Sequence, residues 1–307
     1  MRGRQYISVL DLSRDETLEV LQVAQHLKMQ RKAGVRTSDI LRGRTWVMLF
    51  EKPSLRTRAT FEVGIRELGG HTFFLGPQEV GLGKREPVKD VVRNLARWVD
   101  GVFARVFDHG VFEAFREYAP SLSVINALSD LEHPMQALAD FQTMIEESGD
   151  LGFHLVFVGD GNNVANSLML MSALLGSDFT IATPEGYEPP KEIVDKALEL
   201  AKKTGARINI VRDPREAVAH ADFIYTDVWA SMGQEDEAEE RQKVFAPYQV
   251  NSELLRFAPQ HAKVMHCLPA HRGEEITDDV IESDRSLVFE QAENRLHTIK
   301  AMLIMLS

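Results

Sequence analysis

Phe50-Glu51-Lys52-Pro53-Ser54-Leu55-Arg56-Thr57-Arg58 joins two segments of different periodicity. Before it runs Trp46-Val47-Met48-Leu49-Phe50, a short continuous apolar stretch of the kind that forms a buried strand. After it, Phe61, Ile65 and Leu68 recur at helical spacing until Gly69-Gly70 stops the pattern. Ser54, Arg56, Thr57 and Arg58 therefore occupy a strand-to-helix turn and the first turn of the helix. Unpaired backbone N–H groups and the helix dipole favour an anion there. Two hydroxyls and two guanidiniums add to that preference, and arginine's planar fork matches phosphate oxygens. A serine N-cap followed by two solvated arginines is the plain alternative, and this stretch alone does not choose between them.

The rest of the composition narrows the choice. A chain of 307 residues suggests about two domains. Its 44% hydrophobic and 26% charged content is ordinary for a globular protein. A net charge of -11 argues against nucleic acid or an anionic membrane surface as partner, so a small anionic substrate needs a locally basic site. A single cysteine, Cys267, leaves no internal disulfide and no cysteine-rich metal site. The segment after Met1 is polar, unlike a signal peptide, and no apolar run approaches the ~20 residues of a membrane span. A soluble, cytoplasmic protein is the expectation.

Outward from the opening stretch, strands and helices alternate. In the first half the pattern predicts a helix opened by a Ser13/Glu16 capping box, strand 45–50, helix 57–68, strand 71–75 and a loop at 76–86. A helix from Pro87, strand 101–107, helix 111–118, strand 122–126 and helix 134–147 complete it. Ser148 to Gly152 reads as the domain boundary. A second alternation follows: strands at 154–158, 178–183, 207–211, 222–226, 263–267 and 286–289. Between and after them come helices ending near 175 and at 191–204, 214–219, 235–244, 252–257, 277–282 and 291–306. Such alternation means an α/β protein of two doubly wound parallel-sheet domains, 1–148 and 149–290, joined by helices. Ligands bind at the carboxyl ends of such strands.

Those strand ends hold unusual polar residues. Besides Ser54 to Arg58 they are Arg105, His133-Pro134-Met135-Gln136, Asp227 through Ser231-Met232-Gly233, and His266-Cys267-Leu268-Pro269. Each has a plain reading: a surface arginine, a helix start with Pro134 at its first position and Gln136 closing a cap, an aspartate cap, and a core cysteine. His266 is badly placed to activate Cys267, because neighbours in a strand point to opposite faces. Gly159-Asp160-Gly161 after a strand is a partial dinucleotide fingerprint, but the third glycine is missing and Thr183-Pro184 stands where an acidic residue is needed. An NAD-dependent dehydrogenase is a remote alternative on that basis.

In order and spacing these motifs resemble the aspartate/ornithine transcarbamylase superfamily, over essentially the full length. The family's Ser-Thr-Arg-Thr-Arg signature is Ser54 to Arg58 and its His-Pro-x-Gln motif is His133 to Gln136. Asp227 with Ser231-Met232-Gly233, and His266 to Pro269, match the ornithine branch. Glu293-Asn294-Arg295 matches the arginine that returns to the carbamoyl-phosphate site, so the resemblance implies that segment 291–307 packs on the first domain. Two departures stand out: Leu55 replaces a threonine, and Gly81 stands where the family usually places a Gln or His reaching the neighbouring subunit. Lys84 or Arg85 are substitutes for that contact.

The resemblance implies carbamoyl transfer from carbamoyl phosphate to the δ-amine of L-ornithine. It puts Ser54, Leu55, Arg56, Thr57, Arg105, His133, Gln136, Cys267, Leu268 and Arg295 on carbamoyl phosphate, with Arg105, His133, Cys267 and Arg295 in catalytic roles. Asn163, Asp227, Ser231 and Met232 fall on ornithine. It implies an interdomain cleft, a lid at 233–243, a homotrimer or a multiple of trimers, no cofactor and no metal. Putrescine or an N-acylornithine is the alternative acceptor, and a phosphate or amino-acid sensor the non-catalytic one.

Overall fold

The computed structural model describes residues 1, 3–230 and 235–307. They form two units, Met1–Gln142 with Glu293–Ser307, and Thr143–Ala292. The chain leaves the first unit within helix Pro134–Ser148 and returns to it within helix Val288–Leu306.

The first unit is built on strands β1 (Gln5–Tyr6), β2 (Thr45–Phe50), β3 (His71–Leu75), β4 (Gly101–Arg105) and β5 (Ser123–Leu128). They form one parallel sheet in the order β1-β5-β4-β2-β3. The apolar run 46–50 is buried throughout, as expected of a central strand covered on both faces. Phe61, on helix Leu55–Glu67, stacks on Phe103 of β4 with ring centroids 4.2 Å apart. A side chain at Gly101 would lie 2.6 Å from the Trp46 ring, so only glycine fits beside it. The topology sends β3 to one side of β2 and β4 to the other. The switch point therefore lies between the carboxyl ends of β2 and β4, where Phe50 pairs with Arg105.

The second unit repeats the plan with β6 (His154–Val158), β7 (Asp178–Ala182), β8 (Ile208–Val211), β9 (Phe223–Thr226) and β10 (Lys263–His266). These strands are also parallel, in the order β10-β9-β6-β7-β8, so the switch point falls between β6 and β9. The protein is thus α/β, with two doubly wound parallel sheets.

Several local expectations need correcting. The strand at 286–289 is a single bridge from Ser286 to Val264; helix Val288–Leu306 then begins, because the apolar residues beyond it follow helical spacing. The helix at 252–257 is one 3-10 turn, Leu254–Arg256, started by the Asn251 side chain accepting from Leu254 N at 2.9 Å and followed by Pro259. The loop at 76–86 contains a one-turn helix, Pro77–Val80, entered through a 2.8 Å bond from Gly76 N to the Glu79 carboxyl group and closed by Gly81 at φ 53. Strand β1 carries no pattern of its own; its two residues are ordered by pairing with β5. The Ser13/Glu16 capping box forms as expected and opens helix Arg14–Lys32.

Candidate active site

In the first unit Ser54 is the N-cap of helix Leu55–Glu67, and its hydroxyl accepts from Thr57 N at 3.3 Å. The cap and the anion-binding reading are compatible: the helix start is held open while Thr57, 1% exposed, turns inward. Arg58 turns away, pairing with Glu62 at 2.9 Å and lying over the Phe74 ring. Arg56 is half-buried, and Leu55 is 78% exposed.

The terminal helix completes this corner. Lys300 pairs with Glu67 at 2.9 Å, and Lys28 donates to Asn294 Oδ1 at 2.8 Å. These anchors bring Arg295 into the corner, where it donates to Thr57 Oγ1 at 2.9 Å and to Gln136 Oε1. Gln136 in turn donates to Asp140 Oδ1 at 2.8 Å, so its side chain closes no cap. His133, in the segment leading into the same helix, is buried. Burial first, then the Arg295 and Arg105 guanidiniums, hold its imidazole well below its ordinary range, so it is neutral at pH 7. Arg105, 5% exposed, ends β4 beside the end of β2. The Ser54, Arg105, His133 and Arg295 motifs thus meet at the first switch point. A cavity of about 90 Å³ adjoins the end of β2, lined among others by Phe50, Glu51, Gly81, Lys84 and Phe107. Arg85 bonds within its own loop, to Glu79 O at 3.2 Å.

In the second unit Asp227 follows β9 and is buried. Asn162 Nδ2 donates to its Oδ2 at 2.8 Å, and Cys267 Sγ to its Oδ1 at 3.1 Å. Asn162 also caps helix Asn163–Leu175. Asn163 is half-buried at the first position of that helix, so the side chain holding Asp227 is its neighbour. Asp160, beside this pair, meets Arg241 at 3.2 Å. Burial pushes its carboxyl group up to about 6, with Asp227 and Glu237 adding to the rise and Arg241 opposing it. Ser231 and Met232 lie outside the described residues, as does part of the expected lid at 233–243.

The 266–269 segment is held from the inside. His266 Nδ1 accepts from Leu268 N at 2.9 Å, which requires the proton on Nε2, and Nε2 donates to Glu275 at 3.0 Å. The first of these bonds keeps Leu268 at φ 56, a region side chains disfavour. Asp227, His266 and Cys267 bring possible metal-ligand atoms within 4.8 Å of one another. Both ring nitrogens of His266 are already engaged, so it could bind a metal only by releasing Leu268 or Glu275. His266 is engaged by Leu268 N and Glu275, and Cys267 Sγ donates to Asp227.

Gly161 explains the partial dinucleotide fingerprint. A Cβ there would lie 2.2 Å from Pro189 N, and Gly161 N donates to Tyr187 O at 2.8 Å. The glycine is therefore needed where the backbone of the neighbouring loop packs against this turn.

Residues 4–146 match the carbamoyl-P binding domain of aspartate/ornithine carbamoyltransferase, and residues 151–306 match its Asp/Orn binding domain. The chain belongs to the aspartate/ornithine carbamoyltransferase family. Among similar proteins of the family, an ornithine carbamoyltransferase of Archaeoglobus fulgidus is 53% identical over 301 residues, 98% of this chain and 96% of its own. One from Thermococcus kodakarensis is 51% identical over 304 residues, 99% and 96% respectively. The solved ornithine carbamoyltransferase of Pyrococcus furiosus superposes with a TM-score of 0.96 at 48% identity, covering 99% of this chain and 97% of that one. Within this carbamoyltransferase, Asn162, Asp140 and Glu275, the partner of His266, are the residues of the candidate site that motif reading missed. Each is marked only by a partner distant in sequence or one turn away, so no spacing rule singles it out.

Proposed function

We propose that this protein transfers the carbamoyl group of carbamoyl phosphate to the δ-amine of L-ornithine, forming L-citrulline and phosphate. It is an enzyme, and the citrulline serves arginine biosynthesis. The observation carrying the reading is Arg295 bonded at once to Thr57 and Gln136, which gathers three motifs into one buried, basic corner.

Ser54, Arg56, Thr57 and Arg105 hold the phosphate, with N–H groups of the helix start. Leu55 adds its backbone to that turn. Thr57, Arg105 and neutral His133 hold the carbamoyl oxygen as it gains charge in the tetrahedral intermediate. Gln136 accepts from the carbamoyl NH₂, as by resemblance do the carbonyls of Cys267 and Leu268. Asp227 takes the α-ammonium of ornithine, with Asn163, Ser231 and Met232 as further contacts. The δ-amine must be neutral to attack; at pH 7 an ordinary alkylamine is about three units away, roughly 4–5 kcal/mol. An apolar wall and nearby guanidiniums lower that pKa. The N–C bond forms and the C–O bond to phosphate breaks. The proton lost by the δ-nitrogen leaves on the phosphate, whose charge Arg295 offsets. Cys267 lines the amine's pocket and forms no covalent intermediate.

We infer a homotrimer, or a multiple of trimers, in the cytoplasm. The resemblance supports the trimer, as do apolar side chains exposed on the first unit, Leu55 at 78% and Trp98 at 68% among them. Among the described residues no helix is long and apolar enough to cross a membrane. Lys84, lining the cavity at the end of β2, is our choice over Gly81 and Arg85 for a contact with a neighbouring subunit's site.

The test is citrulline formation by purified protein, with ornithine compared against putrescine, acetylornithine and aspartate. Ornithine is expected to be favoured by about a hundredfold or more, because acetylornithine leaves a paired Asp227 without an α-ammonium and putrescine offers no α-carboxylate. No product with any acceptor overturns the activity. Equal turnover of putrescine or acetylornithine overturns the acceptor.

A further inference from the structure

Gln136 lies between two groups that dictate which way its amide faces. Arg295 offers only donors, so the atom it meets must be the amide oxygen. On the other side, one helical turn along, the Asp140 carboxyl oxygen accepts from the amide NH₂ at 2.8 Å. All three side chains are at most 3% exposed, so water does not replace either partner. An amide oxygen has two lone pairs, and Arg295 uses one. The other remains for a donor, whereas the NH₂ is tied back into the helix.

We propose that Asp140 is a positioning residue that makes the site selective for a carbamoyl group. By accepting from the Gln136 NH₂ it keeps the amide oxygen turned toward the substrate, where a carbamoyl NH₂ can donate and a methyl group cannot. Asp140 itself touches no substrate. The proposal rests on the carbamoyl-phosphate reading of this corner and adds the residue that sets its preference among acyl phosphates. Removing the acceptor at 140 leaves the buried amide NH₂ seeking another partner. Arg295 alone then holds the amide, which is no longer fixed from both sides, and the oxygen is held less firmly for the substrate.

The experiment measures dissociation constants of carbamoyl phosphate, acetyl phosphate and inorganic phosphate for the full chain by titration calorimetry. Acetyl phosphate carries a methyl group in place of the NH₂. In Asp140→Ala the preference for carbamoyl over acetyl phosphate is expected to fall about tenfold, the worth of one hydrogen bond. Inorganic phosphate should bind within about twofold of wild type. Asp140→Asn, whose amide oxygen can still accept from Gln136, should keep the preference within about threefold. Should Asp140→Ala fail to fold, Asp140→Ser, too short to reach Gln136, is read in the same way. An unchanged preference in a folded Ala or Ser variant overturns the proposal. So does a parallel loss of inorganic phosphate, which would mark general damage to the corner. A wild-type protein that makes no citrulline overturns the parent reading; one that makes citrulline while the variant keeps its preference overturns the role of Asp140 alone.

Discussion

Arg295 donates to Thr57 Oγ1 at 2.9 Å across 238 residues of sequence. The last helix therefore reaches the strand-to-helix turn at Ser54–Arg58, where the candidate site begins. Arg295→Met is expected to lower kcat by on the order of 10²–10³, the usual loss for one oxyanion-type donor. Circular dichroism should stay near that of wild type, because Lys300–Glu67 and Lys28–Asn294 still hold the helix. Wild-type kcat in this variant would remove Arg295 from the reaction.

Arg56 and Arg58 are two residues apart yet differ in surroundings. Arg58 is engaged by Glu62 and Phe74, away from the helix start. Arg56→Ala should abolish activity at ordinary carbamoyl phosphate concentrations without unfolding the protein. Arg58→Ala should leave kcat/KM for carbamoyl phosphate within about threefold, since an exposed ion pair contributes little. Equal losses in the two variants would contradict this division.

His133 is held neutral by burial and two guanidiniums. Between its depressed pKa and about 6.5 the unfolded chain binds a proton that the folded protein does not. Stability therefore rises with pH through that window and falls on acidification, by up to about 1.4 kcal/mol per pH unit. His297, held down to about 4 chiefly by burial, acts in the same direction. Denaturant titrations between pH 5 and 7 should show a shallower acid limb for His133→Gln, with the remaining slope due to groups such as His297. An acid limb as steep as that of wild type would be the contrary result.

Asp227 is oriented by Asn162 and Cys267. Asn162→Ala should raise KM for ornithine about tenfold with a smaller effect on kcat, the loss of a hydrogen bond to a charged group. Cys267→Ser keeps a donor and should retain measurable activity with weaker ornithine binding. Complete inactivation of a folded Cys267→Ser protein would point to covalent chemistry instead.

Gly161 has no room for a side chain beside Pro189 N. Gly161→Ala should destabilise the protein by roughly 1–3 kcal/mol, as overpacking does, because the contact is with backbone that cannot rotate away. It should also raise KM for ornithine by disturbing the cap at Asn162. Thermal melts and ornithine titrations check both, and an unchanged melting temperature would argue against the close approach.

Much of the architecture was legible in sequence because its causes are local. Alternating apolar runs and helical stripes marked most elements, and Ser13 with Glu16 marked a helix start, since a capping box is complete within four residues. The elements misread were those that depend on distant partners. Gln5-Tyr6 becomes a strand only beside β5, and Ser286 meets Val264 only once before the helix takes over.

The same distinction separates the two kinds of site knowledge. Motif order and spacing by themselves determined the family and the residue types at each strand end, because a phosphate site at a helix start needs its hydroxyls and guanidiniums in one short run. Which way those side chains face was decided only in three dimensions. Gln136 is set by Arg295 and Asp140, Asp227 by Asn162 and Cys267, and Leu268 by the His266–Glu275 pair. The physical reason is that a hydrogen bond depends on where donor and acceptor meet in space. Spacing along the chain constrains that only for neighbours, and the remaining orientations follow from packing that brings residues far apart in sequence into contact.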